Sequence, residues 1–205
     1  DPPEGDDSAV TILPHRGLPA GTPEEVADAF ADDYGDLAFP SGAVVSPRSA
    51  GDHAADVTVL SGATGYVGHG TAFVDAVTAV RDAVPADTAL YLPGVATPRN
   101  VATLVYSGVD LVDPHQAVIR GTEGRYLTTD EAYFLEDLDE LPCACPACQQ
   151  SRDTFDREDC VDHNVYALAA EMARVRRRIR DGRLRDYIEG QARQDNWLTA
   201  TVRLL

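Results

Sequence analysis

Through the middle of the chain, short apolar runs, the first two of them β-branched, alternate with stretches whose apolar residues recur every three or four positions. The runs at residues 42–46, 56–60, 88–92 and 109–112 are bounded by Gly, Pro or Asp and read as strands. Phe73, Val74, Val77, Val80 and Val84 share one face of a helix after the second run, and residues 98–107 predict another helix after the third. The order is βαβαβ, which implies parallel strands with helical crossovers. A shorter apolar run at residues 9–13 reads as a buried strand. Thr22, Pro23 and Glu25 make a helix start: hydroxyl as N-cap, proline in the first turn, carboxylate reaching back. Val26, Ala27 and Phe30 give that helix its apolar face. Residues 1–8 are Pro-rich and acidic and are expected to be a mobile end.

From Gly121 onward the texture changes. Residues 123–127 predict a turn and a short strand, and residues 128–139 are acidic with Phe134, Leu135 and Leu138 interspersed. Beyond His163, Val165, Leu168, Met172, Val175 and Ile179 line one face of a helix that Gly182 should end, with Arg on its other faces. One or two short helices, including Trp197, close the sequence. The division this implies is an α/β portion over residues 1–140 and a cysteine- and Arg-rich helical subdomain over residues 141–205.

Composition sharpens this picture in two ways. A chain of 205 residues can form one full domain, or one domain with a small appendage. It carries 34 acidic residues against 17 basic ones, and all 17 are Arg. A Lys-free, strongly acidic chain suggests a halophile, because molar salt shortens the Debye length to about 3 Å and removes the self-repulsion of a carboxylate-rich surface. The charge is unevenly placed. Residues 1–164 hold 8 Arg and 29 acids, a balance of −21, whereas residues 165–205 hold 9 Arg and 5 acids, a balance of +4. A basic island on an acidic body is where an anionic partner would dock. With neither an apolar run of transmembrane length nor a charged-then-apolar leader, the chain is expected to be soluble and cytoplasmic, with no membrane partner. Its first residue is Asp1, which suggests a piece of a longer protein.

Several motifs carry chemistry. Cys143, Cys145 and Cys148 lie within six residues, flanked by Pro142 and Pro146, a spacing suited to a zinc knuckle of soft thiolates. The fourth ligand must come from further along, and Cys160 and His163 both qualify. Gly62, Gly65 and Gly68 sit between a strand and a helix, but not at the G-x-G-x-x-G spacing of a dinucleotide loop. They read better as a sharp turn at a sheet's carboxyl edge, where α/β folds bind ligands. Asp113 ends a strand, which in a barrel is the catalytic edge, although Asp113 before Pro114 is also an ordinary turn starter. His15, His53, His69 and His115 are scattered singly. Arg174, Arg176, Arg177, Arg178, Arg180, Arg183 and Arg185 place seven guanidiniums in twelve residues, and guanidinium grips phosphate as a bidentate fork. RNA contact is the expectation, set against the plainer reading of a solvated helix face.

Six segments then occur in fixed order. They are Leu90-Tyr91-Leu92-Pro93-Gly94-Val95-Ala96-Thr97-Pro98, Gly108-Val109-Asp110-Leu111-Val112-Asp113, Gly124-Arg125-Tyr126-Leu127-Thr128, Leu141-Pro142-Cys143-Ala144-Cys145-Pro146-Ala147-Cys148, His163-Asn164, and Arg178-Ile179-Arg180-Asp181-Gly182-Arg183-Leu184. In this the chain resembles the tRNA-guanine transglycosylase family in its archaeal branch. The resemblance implies a TIM-barrel-like fold, here incomplete, that contains structural Zn²⁺ and acts on tRNA. It implies His163 as the fourth ligand and Asp113 as the nucleophile that attacks the ribose anomeric carbon. It also implies a base pocket near the loops of Gly62, Gly65 and Gly94. The chain departs from the family's pattern in the short span from Cys148 to His163, in the residues after Asp113, and in lacking a match to the family's early-strand catalytic Asp. Those departures point to a paralogous branch whose substrate is tRNA already carrying 7-cyano-7-deazaguanine in the D-loop and whose product is the amidine of archaeosine. The partners implied are tRNA and the remaining domains of the same protein or a partner subunit, with a homodimer as a further arrangement.

Overall fold

The computed structural model describes residues 9–13, 37–52, 54–193 and 195–205. The expected helix start at Thr22, the expected mobile end at residues 1–8, His15 and His53 lie outside these. Five strands form one all-parallel sheet in chain order: β1 (Thr11–Ile12), β2 (Ser41–Val45), β3 (Val57–Leu60), β4 (Ala89–Leu92) and β5 (Leu111–Val112). Gly42 faces Val57, Val57 faces Ala89, and Tyr91 faces Leu111 across the ladders. The sheet curls into a half-barrel, an incomplete TIM-like arrangement. The β-branched runs pair as expected because parallel strands are covered on both faces; β3 is buried along its whole length. At the sheet's edge β1 behaves differently. The buried strand expected at residues 9–13 is a two-residue pairing that leaves Val10 and Ile12 each 45% exposed and buries only Leu13.

The crossovers are α1 (Ala63–Tyr66) and α2 (Gly70–Ala83) after β3, α3 (Val101–Tyr106) after β4, and α4 (His115–Thr122) after β5. Phe73, Val77 and Val80 of α2 pack with Val45, Leu60, Leu90, Leu92 and Leu104 into the main core. Helix α3 starts later than Pro98 because Asn100 ties the preceding turn. Its Oδ1 accepts from the Thr97 N–H at 2.8 Å and its Nδ2 donates to the Val95 carbonyl at 3.0 Å. At the amino ends of the strands the Arg81 guanidinium donates to the Thr88 and Gly108 carbonyls, each at 2.8 Å, and pairs with Asp110.

The antiparallel hairpin β6 (Arg125–Leu127) and β7 (Ala132–Phe134) leads through a 3₁₀ turn to α5 (Pro146–Gln150). Then come α6 (Arg157–Arg180), α7 (Leu184–Ala192) and α8 (Asn196–Leu204). The long helix starts before His163, not after it, because Asp156 and Asp159 form a reciprocal capping box. Leu168 of α6 reaches the main core, and Met172 packs against it. Val175 joins Ile188, Leu198 and Val202 in a second cluster, while Ile179, expected on the apolar face, is 50% exposed. Helices α4 and α6 cross where Gly121 faces Val161; a Cβ at Gly121 would lie 2.5 Å from the Val161 Cα. Gly182 has φ +66° and ends α6 in the left-handed region that glycine tolerates. Among the described residues no helix is long and apolar enough to cross a membrane.

Candidate metal centre and nucleic-acid interface

Pro146 opens α5, so Cys145 precedes its first turn and Cys148 lies within it. The cap at Asp156 sets the phase of α6 and turns His163 toward the same point. The Sγ atoms of Cys143, Cys145 and Cys148 and a His163 ring nitrogen all lie within 4.8 Å of one another. Cys145 and Cys148 sulfurs are 3.5 Å apart, and the His163 Nδ1 is 3.5 and 3.4 Å from them. A tetrahedral ion with bonds of about 2.3 Å to sulfur and about 2.0 Å to nitrogen has S···S and S···N edges of about 3.8 and 3.5 Å. The four residues therefore fit a soft divalent ion such as zinc, with every position filled by protein.

The surroundings support ligation. His163 Nε2 lies 3.0 Å from the Leu127 carbonyl, which fixes the ring and leaves Nδ1 facing the sulfurs. The Tyr126 ring stacks on the imidazole at 3.6 Å and 9°, and its hydroxyl is 3.3 Å from the Cys148 sulfur. Burial holds the His163 pKa below the ordinary imidazole range despite the Leu127 carbonyl, so the ring is in its neutral, ligating form near pH 7. Burial pushes the Cys148 thiol up to about 12, and Cys145 and Cys143 add to this against the opposing hydrogen bond of Tyr126. Three adjacent thiolates need a cation, and binding one releases their protons. Cys160, the rival fourth ligand, is fully buried among Tyr126 and Cys148, where burial raises its thiol to about 11; it stands outside the converging group and packs as a small hydrophobe. Asn164, which follows His163, is part of a family-like pair in the sequence, but the pattern assigns it no role. It is fully buried, accepts from the Leu127 N–H at 2.8 Å and donates to the Ala117 and Arg125 carbonyls at 3.0 and 2.8 Å.

At the carboxyl ends of the strands a cavity of about 470 Å³ opens between the loop after β3 and the β6–β7 hairpin. Gly94 lines it. Gly62 and Gly65 do not; Thr64 and Val67 of the same loop do. Arg99, Arg120 and Arg125 also border it, a feature hidden in the sequence because they come from three separate segments. Arg120 pairs with Glu123 at 3.1 Å, Arg125 lies 3.4 Å over the Phe134 ring, and Arg99 is 3.4 Å from Asp195. Beside this cavity both oxygens of Asp113 are engaged. Oδ2 accepts from the Tyr91 hydroxyl at 2.7 Å and the Gly94 N–H at 2.8 Å, and Oδ1 accepts from the His115 N–H at 2.8 Å and lies 2.7 Å from its Nδ1. Burial opposes ionisation of this carboxyl, but the hydrogen bonds from Tyr91, Gly94 and His115 outweigh it and hold the pKa below the usual range. Burial, reinforced by the contact with Asp113, pushes the Tyr91 phenol up to about 12. Asp113 is thus a carboxylate that ties the end of β5 to the Gly94 loop.

The Arg-rich stretch divides in two. Arg174 is committed to the fully buried carboxylate of Glu171 at 2.5 Å, which also accepts from the Tyr187 hydroxyl at 2.5 Å. Arg176, Arg177 and Arg180 are exposed, Arg177 only loosely paired with Asp181 at 3.6 Å. Arg178 lies 5.4 Å from the centre of the Tyr187 ring.

The sequence model of the queuine tRNA-ribosyltransferase family matches residues 46–196. The archaeosine synthase of Haloferax volcanii is 61% identical over 201 residues, covering 98% of this chain and 34% of that protein. The archaeosine synthase subunit alpha of Methanosarcina acetivorans is 35% identical over 210 residues, 95% of this chain and 33% of its own length. The tRNA-guanine(15) transglycosylase of Haloferax volcanii is 36% identical over 128 residues, 58% of this chain and 25% of its own. The chain thus spans about a third of the length of the first two relatives and a quarter of the third. With the family match running from the end of β2 through the four-ligand cluster and the Arg-rich helix, the chain belongs to the tRNA-guanine transglycosylase family.

Proposed function

We propose that this chain is the transglycosylase-like, tRNA-docking part of an enzyme of archaeosine synthesis, acting on tRNA that carries 7-cyano-7-deazaguanine in the D-loop. The observation that carries this reading is the near-complete alignment with an archaeosine synthase, at 61% identity, against partial and weaker alignment with a transglycosylase from the same organism. The four-ligand cluster holds Zn²⁺ in a structural role, since no position is left for a reacting water. The metal fastens the cysteine knuckle to α6, and the exposed guanidiniums of Arg176, Arg177 and Arg180, with the half-buried Arg178, meet tRNA phosphates. Arg174, paired with Glu171, supports the helix instead. The partners are tRNA and either further domains of the same polypeptide or a second subunit; the name of the Methanosarcina relative, a subunit alpha, supports the latter for that protein. The cytoplasm, where tRNA is modified, is the expected compartment.

The deciding experiment is mass spectrometry of tRNA nucleosides from cells lacking the full-length gene. Accumulated 7-cyano-7-deazaguanosine supports the reading, and unmodified guanosine at that position overturns it in favour of an active transglycosylase. The hydrogen bond of Asp113 to Gly94, which lines the cavity, favours that second reading, whereas the absence of Asp113 from the lining and the engagement of both its oxygens favour the first. Full modification of tRNA by an Asp113→Asn protein would exclude a nucleophilic carboxylate there.

A further inference from the structure

Where α6 ends and α7 begins, a cleft of about 300 Å³ is walled by Arg178, Arg183, Asp186, Tyr187, Gly190 and Gln191. It shares no residue with the cavity at the barrel edge. Arg183 approaches Asp186 only to 3.8 Å, with the two side chains 65% and 75% exposed, so its fork remains largely turned to solvent. Arg178 contributes a second fork beside the Tyr187 ring. Gln191 is nine-tenths buried; its Nε2 donates to the Tyr187 hydroxyl at 3.1 Å and to Glu171 at 3.3 Å, while its Oε1 meets no hydrogen-bond partner. Gly190 lies inside α7 at ordinary backbone angles, and a Cβ there would meet nothing within 4 Å. Glycine is a poor helix former, so nothing in the local backbone calls for it; what it does is keep the cleft open.

Two guanidinium forks, an aromatic ring and a buried amide oxygen, set in a space at the lower end of the size range of small-ligand sites, match the parts of one nucleotide. We propose that this cleft seats a single unpaired nucleotide of the tRNA: its phosphodiester between Arg178 and Arg183, its base toward Tyr187, and a base or ribose donor available to Gln191 Oε1. A paired strand would meet only the convex surface of α6, because a cleft of this size admits a nucleotide turned out of its stack. An acidic polypeptide would satisfy the guanidiniums but leave the amide oxygen and the ring without a match. The inference rests on the reading that the chain docks tRNA.

The test measures binding by the full-length, metal-loaded protein over a series of KCl concentrations, with a tRNA transcript, a fully paired RNA of equal length and poly-glutamate as probes. Gly190→Phe fills the cleft, removes no charge and replaces a poor helix former. It is expected to weaken tRNA binding at least tenfold and to lower the salt slope by about 0.7 as the seated phosphate is lost, with melting temperature unchanged, and to leave duplex RNA binding as it was. The double variant Arg178→Gln/Arg183→Gln should weaken tRNA binding and reduce the salt slope by about 0.7, the contribution of one single-stranded phosphate. Affinity of Gly190→Phe within twofold of the parent overturns the proposal, as does a loss confined to poly-glutamate or to duplex RNA. Should Gly190→Phe fail to fold, the Arg pair decides. If Arg176→Gln/Arg177→Gln weakens binding and the cleft variants do not, the cleft falls while tRNA docking stands; if the parent protein ignores tRNA, the docking reading falls with it.

Discussion

Asn164→Ala is the substitution expected to do most harm for its size. The side chain has no exposure and makes three hydrogen bonds, one to the Leu127 N–H and two to the Ala117 and Arg125 carbonyls. Each buried backbone group left without a partner costs about 1–3 kcal/mol, with carbonyls at the lower end. Three orphans give a loss of about 3–5 kcal/mol before any cavity is counted. Native domains are stable by only about 5–15 kcal/mol, so this is a large share. For a chain of this size it corresponds to a fall of about 6–20 °C in Tm. The assay is thermal and urea unfolding in molar KCl, followed by the fluorescence of Trp197, which packs edge-on against Phe73 at 5.7 Å. Asn164→Asp provides the companion measurement: it keeps the acceptor for Leu127 but turns a carboxylate oxygen toward two carbonyls, and should be at least as damaging. A loss below about 1 kcal/mol in both variants would mean that water reaches these groups and that the clamp between α6 and β6 is not what holds this end together.

Three further outcomes follow from the geometry. Gly121→Ala brings a methyl to 2.5 Å from the Val161 Cα, backbone that cannot swing aside, and should cost about 1–3 kcal/mol as an overpacked contact, read by urea midpoint. Asp113 has a depressed pKa, so the stability it contributes is present above the ordinary carboxyl range and is lost as pH falls through that range toward the folded value; Asp113→Asn should lower stability at neutral pH and flatten the acid limb of the stability–pH curve, so that variant and parent converge below about pH 4. Removal of the metal by a chelator, or Cys143→Ser, should loosen residues 141–163 before it affects the sheet. Hydrogen exchange resolves this as early loss of protection in α5 and the first turns of α6, and retention of one zinc per chain by His163→Ala would return the fourth position to Cys160.

Much of the sheet was legible because β2 and β3 are β-branched runs and β4 a short apolar one, with Gly, Pro or Asp near their ends, and α2 carries its large apolar residues at helical spacing. Helix α4 left no such trace. Its buried residues are Ala117 and Gly121, small groups chosen for close approach to α6, so hydropathy passes over them. The start of α6 was signalled by Asp156 and Asp159, a capping box built with Asp where Glu is the usual partner. Missing it also left the fourth ligand open, because Cys160 and His163 are three residues apart on one helix and spacing alone cannot separate them. Their contacts do: one sulfur packs around Tyr126, and the imidazole, held by Leu127, converges with the three cysteine sulfurs. The cluster of Arg99, Arg120 and Arg125 depends on a turn, the helix α4 and the strand β6 meeting at the barrel edge, information that only the folded arrangement contains.

The 24-residue helix α6 also acts as a ruler. His163 and Arg178 lie on the same uninterrupted cylinder, fifteen residues apart, which sets them about 22 Å from each other along its axis. A rigid spacer fixes phase as well as distance. One residue inserted in the exposed turn after Arg176 would rotate everything beyond it by about 100° and carry Arg178 off its present bearing, whereas seven would nearly restore the bearing while moving it about 10 Å further from the metal. The reach and direction of the basic end are therefore set at the opposite terminus, by the cap at Asp156 and the four ligands that anchor it.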